Sequence, residues 1–441
     1  MSVDAARIVP VVVTALDADG LAVGALDGGR RVHVKGVGRV ATDGSTVVAA
    51  QIVKRRRGDA FAIVEAASGI ASAAQCPAYP RCGGCAIQHL DSAMQLALKR
   101  DRVVRLLDAT GLRLDLEPTI VSGPQYHYRR RARLGVRHLR ARDETLVGFR
   151  ESFNSRVARI DACLVLAEPL AGALPSIQRA LGDLDARARV PQVELAAGDD
   201  GGALVVRHLE ALSMRDRARL RELETDTGLE VCIQAAGLDS TVRLDGAASR
   251  GLRYRLDRFG VVLAFSPTDF VQVNGELNRD LVATALALLA PRRGENVADL
   301  FCGIGNFTLP IARSGAAVVG VDNANVLVDA AQRNADANGL GARVELVGAD
   351  LHGTLSAATL ARVASADAAL VDPPRSGIGG AIAVLGSARL SRLVYASCDA
   401  TSFAADAARL DALGFRVARL HLFDMFPHTA HAETLALFER R

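Results

Sequence analysis

Residues 299–310, Asp-Leu-Phe-Cys-Gly-Ile-Gly-Asn-Phe-Thr-Leu-Pro, constrain what this chain can fold into more than any other stretch. Asn296 to Leu300 reads as a short buried strand, Gly303 and Gly305 break it, and Thr308 to Arg313 resumes as a helix. A strand, a glycine turn and a helix form the nucleotide-binding corner of a doubly wound α/β sheet. The glycines let backbone approach a ligand where a side chain would collide. The third glycine of the dinucleotide fingerprint is missing, so the weight of the turn rests on the order of the elements after it. An apolar run, Ala316 to Asp322, ends in an acid placed to accept hydrogen bonds from ribose hydroxyls. Asn325 to Gly339 reads as a helix with a glycine stop. Further strands are predicted over Arg343–Asp350, Ala366–Asp372, Leu393–Ser397, Phe415–Phe423 and Thr434–Phe438. Ligands of open α/β sheets bind beyond the carboxyl ends of the strands. Asp322, Asp350, Asp372 and Cys398 all fall at such ends.

At 441 residues the chain has room for two or three domains. Residues 5–66 alternate apolar and polar positions between turns at Asp19-Gly20, Asp27-Gly28-Gly29 and Asp43-Gly44, the pattern of a small antiparallel barrel. Lys54-Arg55-Arg56-Arg57 lies between two of its strands and suits a nucleic-acid backbone; a solvated loop is the bland alternative. A net charge of +4 permits a polyanionic partner without proving one. Only Lys35, Lys54 and Lys99 are lysines, and with alanine also abundant the arginine content reads as genome composition rather than as an RNA signal. Leu281 to Ala290 is too short to span a bilayer, and Asp4 precedes any apolar run, unlike a signal peptide. A cytoplasmic location is expected, which makes the seven cysteines thiols rather than disulfides.

Three of those cysteines cluster as Cys76-x5-Cys82-Gly-Gly-Cys85, with Cys163 far downstream. Closely spaced cysteines in a glycine-rich loop point to a metal centre, since the loop can fold its thiolates inward and offer amide hydrogens to sulfur. Zinc and an iron–sulfur cluster both fit the spacing. Cys232 lies in an apolar run and reads as core, and Cys302 as packing. Between Tyr126 and Arg142, Tyr126, Tyr128, Arg129, Arg130, Arg131, Arg133, Arg137 and Arg140 form a second basic constellation. Alternate arginines on a strand would track phosphates while tyrosines stack on bases. Residues 165–255 carry helix and strand patterns but no evident chemistry.

The fourth-strand motif discriminates among reactions. Asp-Pro-Pro followed by an aromatic residue suits methylation of an exocyclic amine; here Arg375 follows Pro374, so the stacker is missing. RNA cytosine-5 methyltransferases commonly carry cysteines on both the fourth- and fifth-strand loops, whereas this chain has only Cys398 on the fifth, which fits attack on a uracil. The chain resembles the S-adenosylmethionine-dependent RNA uracil-5 methyltransferases. The resemblance rests on Asp299-Leu-Phe-Cys-Gly-Ile-Gly-Asn306, Asp372-Pro-Pro-Arg375-Ser-Gly, Ser397-Cys398, Phe426-Pro-His-Thr-Ala-His431-Ala-Glu433, Phe270-Val-Gln272-Val-Asn274 and the cysteine cluster.

That resemblance implies a class I Rossmann-like catalytic domain over 265–441, a central α/β domain over 69–264 and an N-terminal TRAM/OB-like barrel over 1–68 that binds RNA. It implies Cys398 as nucleophile and Glu433 as base, with Gln272, Phe301, Asn306, Asp322, Asp350 and Asp372 lining the cofactor site. The family's iron–sulfur branch, which includes ribosomal-RNA enzymes, uses four cysteines spaced like Cys76, Cys82, Cys85 and Cys163. Three ligands in one loop and one from afar favour a 4Fe–4S cluster over zinc. Ribosomal RNA is the favoured substrate over transfer RNA, with no membrane partner. Two departures stand out: Asp322 replaces the usual glutamate, and Asp399-Ala400 replaces Asn-Pro, placing a carboxylate expected to raise the thiol pKa. His428 and His431 read as structural or substrate contacts. Two other classes compete: a methyltransferase of cytosine or a small molecule, and a non-catalytic RNA-binding homologue. The retained Cys398 and Glu433 argue against the second.

Overall fold

Five short strands close into a barrel: β1 (Ile8–Leu16), β2 (Ala22–Ala25), β3 (Arg31–Lys35), β4 (Val47–Arg55) and β5 (Asp59–Val64), in the order β1-β2-β3-β5-β4. The computed structural model describes residues 8–26, 28–38, 40, 46–55, 58–64, 74–387 and 389–441. Asp4, Asp27, the Asp43-Gly44 turn, Arg56, Arg57 and the 68/69 boundary lie outside them. Strand alternation sends Val11, Val13, Val32, Val34, Val48 and Ala60 into the barrel core. One expectation is corrected: β3 and β5 pair in parallel, because β4 intervenes in the chain and returns it in the original direction.

Helix α1 (Ser92–Ala109) comes next, capped by Asp91, whose side chain accepts from Met94 N. After it, β6 (Thr119–Val121) has no counterpart among the expected elements: three residues carry no readable period. The middle of the chain builds a six-stranded sheet from β7 (Arg131–Leu139), β8 (Glu144–Gly148), β9 (Gln192–Ala197), β10 (Gly202–Arg207), β11 (Glu230–Gln234) and β12 (Thr241–Arg243), in the order β12-β11-β10-β9-β7-β8. Helices α2 (Glu168–Gly182) and α3 (Met214–Thr227) bury Leu170, Leu174, Ile177, Leu220 and Leu223 in its core. A hairpin of β13 (Leu252–Leu256) and β14 (Val261–Phe265) leads into α4 (Gly275–Leu289).

The last sheet has eight strands. It comprises β15 (Asn296–Leu300), β16 (Ala317–Asp322), β17 (Val344–Gly348), β18 (Ala368–Val371), β19 (Arg392–Ser397), β20 (Phe415–Phe423) and β21 (Glu433–Arg440), with β6 added at the edge. Their order is β17-β16-β15-β18-β19-β21-β20-β6. β15 to β19 run parallel and β21 antiparallel to them. Helices α5 (Thr308–Arg313), α6 (Asn325–Ala337), α7 (Ala357–Ala364), α8 (Ala381–Ser387) and α9 (Ala400–Ala412) alternate with the strands. A sheet covered on both faces needs continuously apolar strands, and Ala368, Ala369, Leu370 and Val371 are all fully buried. Strand order reverses between β15 and β18, so the crevice at their carboxyl ends is where a ligand belongs. The α/β, Rossmann-like reading therefore holds. Among the described residues no helix is long and apolar enough to cross a membrane.

Candidate active site

The glycine turn after β15 is built for an open face. Phe301, Gly303 and Gly305 have φ of +64°, +54° and +97°. A Cβ on Gly303 would meet nothing within 4 Å, whereas one on Gly305 would strike Leu309 at 2.4 Å. Gly303 thus has an open face, while Gly305 is held to glycine by its φ. Asp322, the last residue of β16, braces the turn: its Oδ2 accepts from Gly303 N and its Oδ1 from Ala324 N, both at 3.0 Å. Asp350 lies two residues beyond β17, exposed, with Oδ1 accepting from His352 N at 3.0 Å. The Phe301 and His352 rings are 5.6 Å apart. On the other flank, Asn306 Oδ1 accepts from Tyr254 Oη at 2.9 Å and Asn278 Nδ2 at 3.0 Å, and Gln272 lines a small cavity with the same Tyr254 and Asn278.

Asp299 sits inside β15, fully buried, where it accepts from Thr308 Oγ1 through one oxygen and has no partner on the other among the described residues. Burial pushes it up to about 7, and Asp372 and Asp322 push the same way. The sequence reading does not single out this residue; an acid within an otherwise apolar strand is the available signal.

Cys398 follows β19 directly. Ser397 pairs with Thr434 as the last rung between β19 and β21, so Cys398 and Glu433 both adjoin that rung, and Glu433 is near enough to act on the thiol by charge. Glu433 opens β21, is 1% exposed, and has no hydrogen-bond partner on either oxygen among the described residues. Burial and the neighbouring Asp372 hold it well above the usual carboxylate range. Asp372, one residue past β18, is itself pushed up to about 7 by burial. Burial, Glu433 and Asp372 push the Cys398 thiol up to about 11, while the charge and hydrogen bond of Arg375 pull it down. Two sequence readings change here. Asp399 is turned away to cap α9, accepting from Thr401 N and Ser402 N at 2.9 and 3.0 Å, so the carboxylates that burden the thiol are Glu433 and Asp372. Arg375, read only as a missing aromatic stacker, is the cation at the thiol.

Cys76, Cys82, Cys85 and Cys163 line one cavity. Gly84 N points at Cys82 Sγ over 3.4 Å and Gln88 Nε2 at Cys85 Sγ over 3.9 Å. Burial, Cys163 and Cys82 push the Cys85 thiol up to about 12. Lys35 of the barrel reaches the loop, donating to the Cys82 carbonyl at 2.9 Å and to Ser152 Oγ at 2.7 Å. Among the described residues, no three His, Cys, Asp or Glu side chains are arranged to hold a single metal ion. Cys232 and Cys302 are buried packing residues.

The basic segment divides. Arg130 pairs with Asp199 at 2.5 Å, and Arg131 and Arg133 pair with Glu194 at 3.2 and 2.9 Å. Tyr128 is buried and donates to the Pro427 carbonyl. Tyr128, Arg130 and Arg131 therefore brace the structure instead of presenting a continuous phosphate track; their partners lie far along the chain and leave no mark on the local pattern. Arg133, Arg137 and Arg140 remain exposed. A groove of about 680 Å³ opens beside the segment, lined by Tyr126, His127, Arg130, Asp199, Arg255 and Arg279 among others.

Residues 91–441 match the family described as tRNA (uracil-5-)-methyltransferase. A 23S rRNA (uracil(1939)-C(5))-methyltransferase RlmD of Hahella chejuensis is 39% identical over 93% of this chain and 93% of its own. The protein of the same name from Aromatoleum aromaticum is 38% identical over 97% of this chain and 99% of its own. The crystal structure of a Pyrococcus abyssi tRNA (uracil-54, C5)-methyltransferase in complex with S-adenosyl-L-homocysteine shares the fold, with a TM-score of 0.69 at 23% identity over 98% of this chain and all of that one.

Proposed function

The chain belongs to the tRNA (uracil-5-)-methyltransferase family, and from that premise we propose that it methylates carbon 5 of a uridine in 23S ribosomal RNA, with Cys398 as nucleophile and Glu433 as base. It is an S-adenosylmethionine-dependent RNA (uracil-5-)-methyltransferase; the ribosomal target is taken from the names its relatives carry. One observation supports the assignment of roles: Cys398 and Glu433 adjoin the last β19–β21 rung, and the buried Glu433 carboxylate has no hydrogen-bond partner among the described residues.

Carbon 5 of uracil is a poor nucleophile, so the Cys398 thiolate adds first at carbon 6 and leaves an enolate. Arg375 favours the thiolate by charge and hydrogen bond. S-adenosylmethionine, when bound, would supply an electrophilic methyl on its sulfonium: carbon 5 of the enolate would form the new bond as the methyl–sulfur bond breaks and its electron pair leaves with S-adenosylhomocysteine. Glu433 then removes the hydrogen from carbon 5. The electrons of that C–H bond re-form the carbon 5–carbon 6 double bond, the carbon 6–sulfur bond breaks, and Cys398 is released as thiolate. The target carbon is out of reach in a stacked helix, so the uridine must be flipped out.

Gln272, Phe301, Asn306, Asp322, Asp350 and Asp372 would hold the methyl donor. The open face of Gly303 and the unpaired Asp299 oxygen support that site, and a cation there would lower the raised Asp299 and Asp372. Cys76, Cys82, Cys85 and Cys163 would hold a 4Fe–4S cluster, with zinc the alternative. A shared cavity of four thiols with N–H groups directed at two sulfurs fits that group. Its role is structural, outside the strand-end site. The barrel, with Arg55 exposed, and the exposed Arg133, Arg137 and Arg140 would meet RNA backbone. The domain division 1–68, 69–264 and 265–441 and a cytoplasmic location complete the reading.

The test is methylation of unmodified 23S ribosomal RNA with labelled donor. One uridine should become 5-methyluridine, and Cys398→Ser should give none. Label in cytosine, or in transfer RNA and not ribosomal RNA, would count against the proposal.

A further inference from the structure

Residues 424–431 link the end of β20 to Glu433, and almost every polar anchor of this loop comes from outside the catalytic sheet. Asp424 forms a buried ion pair with Lys99 of α1, each 2% exposed. Its second oxygen accepts from Gln125 Nε2 at 3.3 Å. Lys99 Nζ also donates to the Phe426 carbonyl at 3.0 Å, and Tyr128 Oη to the Pro427 carbonyl at 3.0 Å. His428 is held hardest. Its N–H donates to Gln95 Oε1 at 2.9 Å, its Nδ1 lies 3.3 Å from Gln95 Nε2, and its carbonyl accepts from Ala86 N and Ile87 N at 2.8 and 2.9 Å. A φ of +64° at this non-glycine residue is tolerated only where its surroundings over-determine it.

The composition makes the same point. Of 53 cationic residues only three are lysines, yet Lys35 and Lys99 are both buried and both donate to backbone carbonyls. A compact ammonium fits such a site where a planar guanidinium fork does not. Glu433, by contrast, has no hydrogen bond from the described residues to orient its carboxylate. Its position is set by backbone alone, through its pairing with Phe423 and the loop that joins them.

We propose that Lys99 and Gln95 are positioning residues for the base: by clamping residues 424–431 they fix the first residue of β21 beside the end of β19, where Cys398 follows. This rests on the assignment of Cys398 and Glu433 above. A displaced base would leave addition and methyl transfer intact but stall removal of the carbon 5 hydrogen, so the methylated RNA would remain bonded to Cys398.

Three variants test this: Gln95→Met, Lys99→Met, and the double Lys99→Met/Asp424→Leu, which leaves no unpaired buried charge. Arg100→Gln, at a half-buried neighbour on α1 that pairs with Asp101 rather than with the loop, is the control. Each is compared with Glu433→Gln. The clamp variants should lose about 10–100-fold in kcat, bind S-adenosylhomocysteine within about twofold of the unaltered enzyme, and accumulate a denaturation-resistant protein–RNA adduct with ordinary RNA. Arg100→Gln should do none of these. Folded clamp variants that turn over normally, or that lose turnover without adduct while Glu433→Gln accumulates it, would overturn the positioning role alone. If Glu433→Gln itself neither slows nor accumulates adduct, the base assignment falls and this inference falls with it.

Discussion

Two buried carboxylates bracket the loop before β21, and their surroundings are opposite. Asp424 is 2% exposed and has Lys99 on one oxygen and Gln125 on the other. Glu433 is 1% exposed and, among the described residues, has a partner on neither. A buried carboxylate without partners resists ionising, and Glu433 is accordingly held well above its usual range by burial and by Asp372. The difference separates holding from reacting. Asp424 spends its acceptor capacity on structure, whereas Glu433 commits neither oxygen to structure, and its raised proton affinity makes its carboxylate the stronger base once it is ionised.

The sharpest way to break the comparison is to treat the two acids alike. Asp424→Ala strands the Lys99 ammonium in the interior and should lower unfolding free energy by about 3–5 kcal/mol, read by urea titration. A loss below about 1 kcal/mol would mean the pair is not the structural member. Next in size, Arg375→Gln removes the one cation credited with favouring the Cys398 thiolate. Adduct formation should slow about tenfold at neutral pH, an upward thiol shift of about one unit, and the rate should recover as pH rises. An unchanged pH profile would remove Arg375 from the site.

Glu433→Gln should do the reverse of Asp424→Ala and stabilise the fold, by about 1 kcal/mol at pH 8. The sign comes from the raised folded-state value. The contribution of Glu433 to stability is fully present below its ordinary value of 4.5 and is lost as pH rises through the raised one. The advantage of the glutamine variant should therefore vanish below about pH 4.5 and grow above it; a pH-independent difference would show that Glu433 is not a strained acid. Smallest of all, Asp399→Asn should leave stability within about 0.5 kcal/mol, since asparagine caps a helix as well as aspartate, and should not move the thiol's pH profile. A shift of a unit there would restore Asp399 as its electrostatic neighbour.

The catalytic sheet was legible in the sequence because its strands are continuously apolar and end in polar residues: Asp322, Asp372 and Cys398 sit where the pattern put them. Glu433 could be located only through a motif, since a strand's first residue gives no local sign of burial. Hidden altogether were the long-range partnerships. Nothing near Arg131 announces Glu194, and nothing near Asp424 announces Lys99, 325 residues away. Likewise β6 reaches the edge of the catalytic sheet only by pairing with β20. Pairings between distant segments leave no trace in local periodicity.

Covalent trapping tests the central claim most directly. RNA carrying 5-fluorouridine at the target should, with S-adenosylmethionine, bond irreversibly to the enzyme, because fluorine cannot leave carbon 5 as a proton. Mass spectrometry of the trapped peptide should place the nucleotide on Cys398, and Cys398→Ser should trap nothing and turn over nothing. A nucleotide mapped to any other residue, or full turnover in Cys398→Ser, would contradict the account.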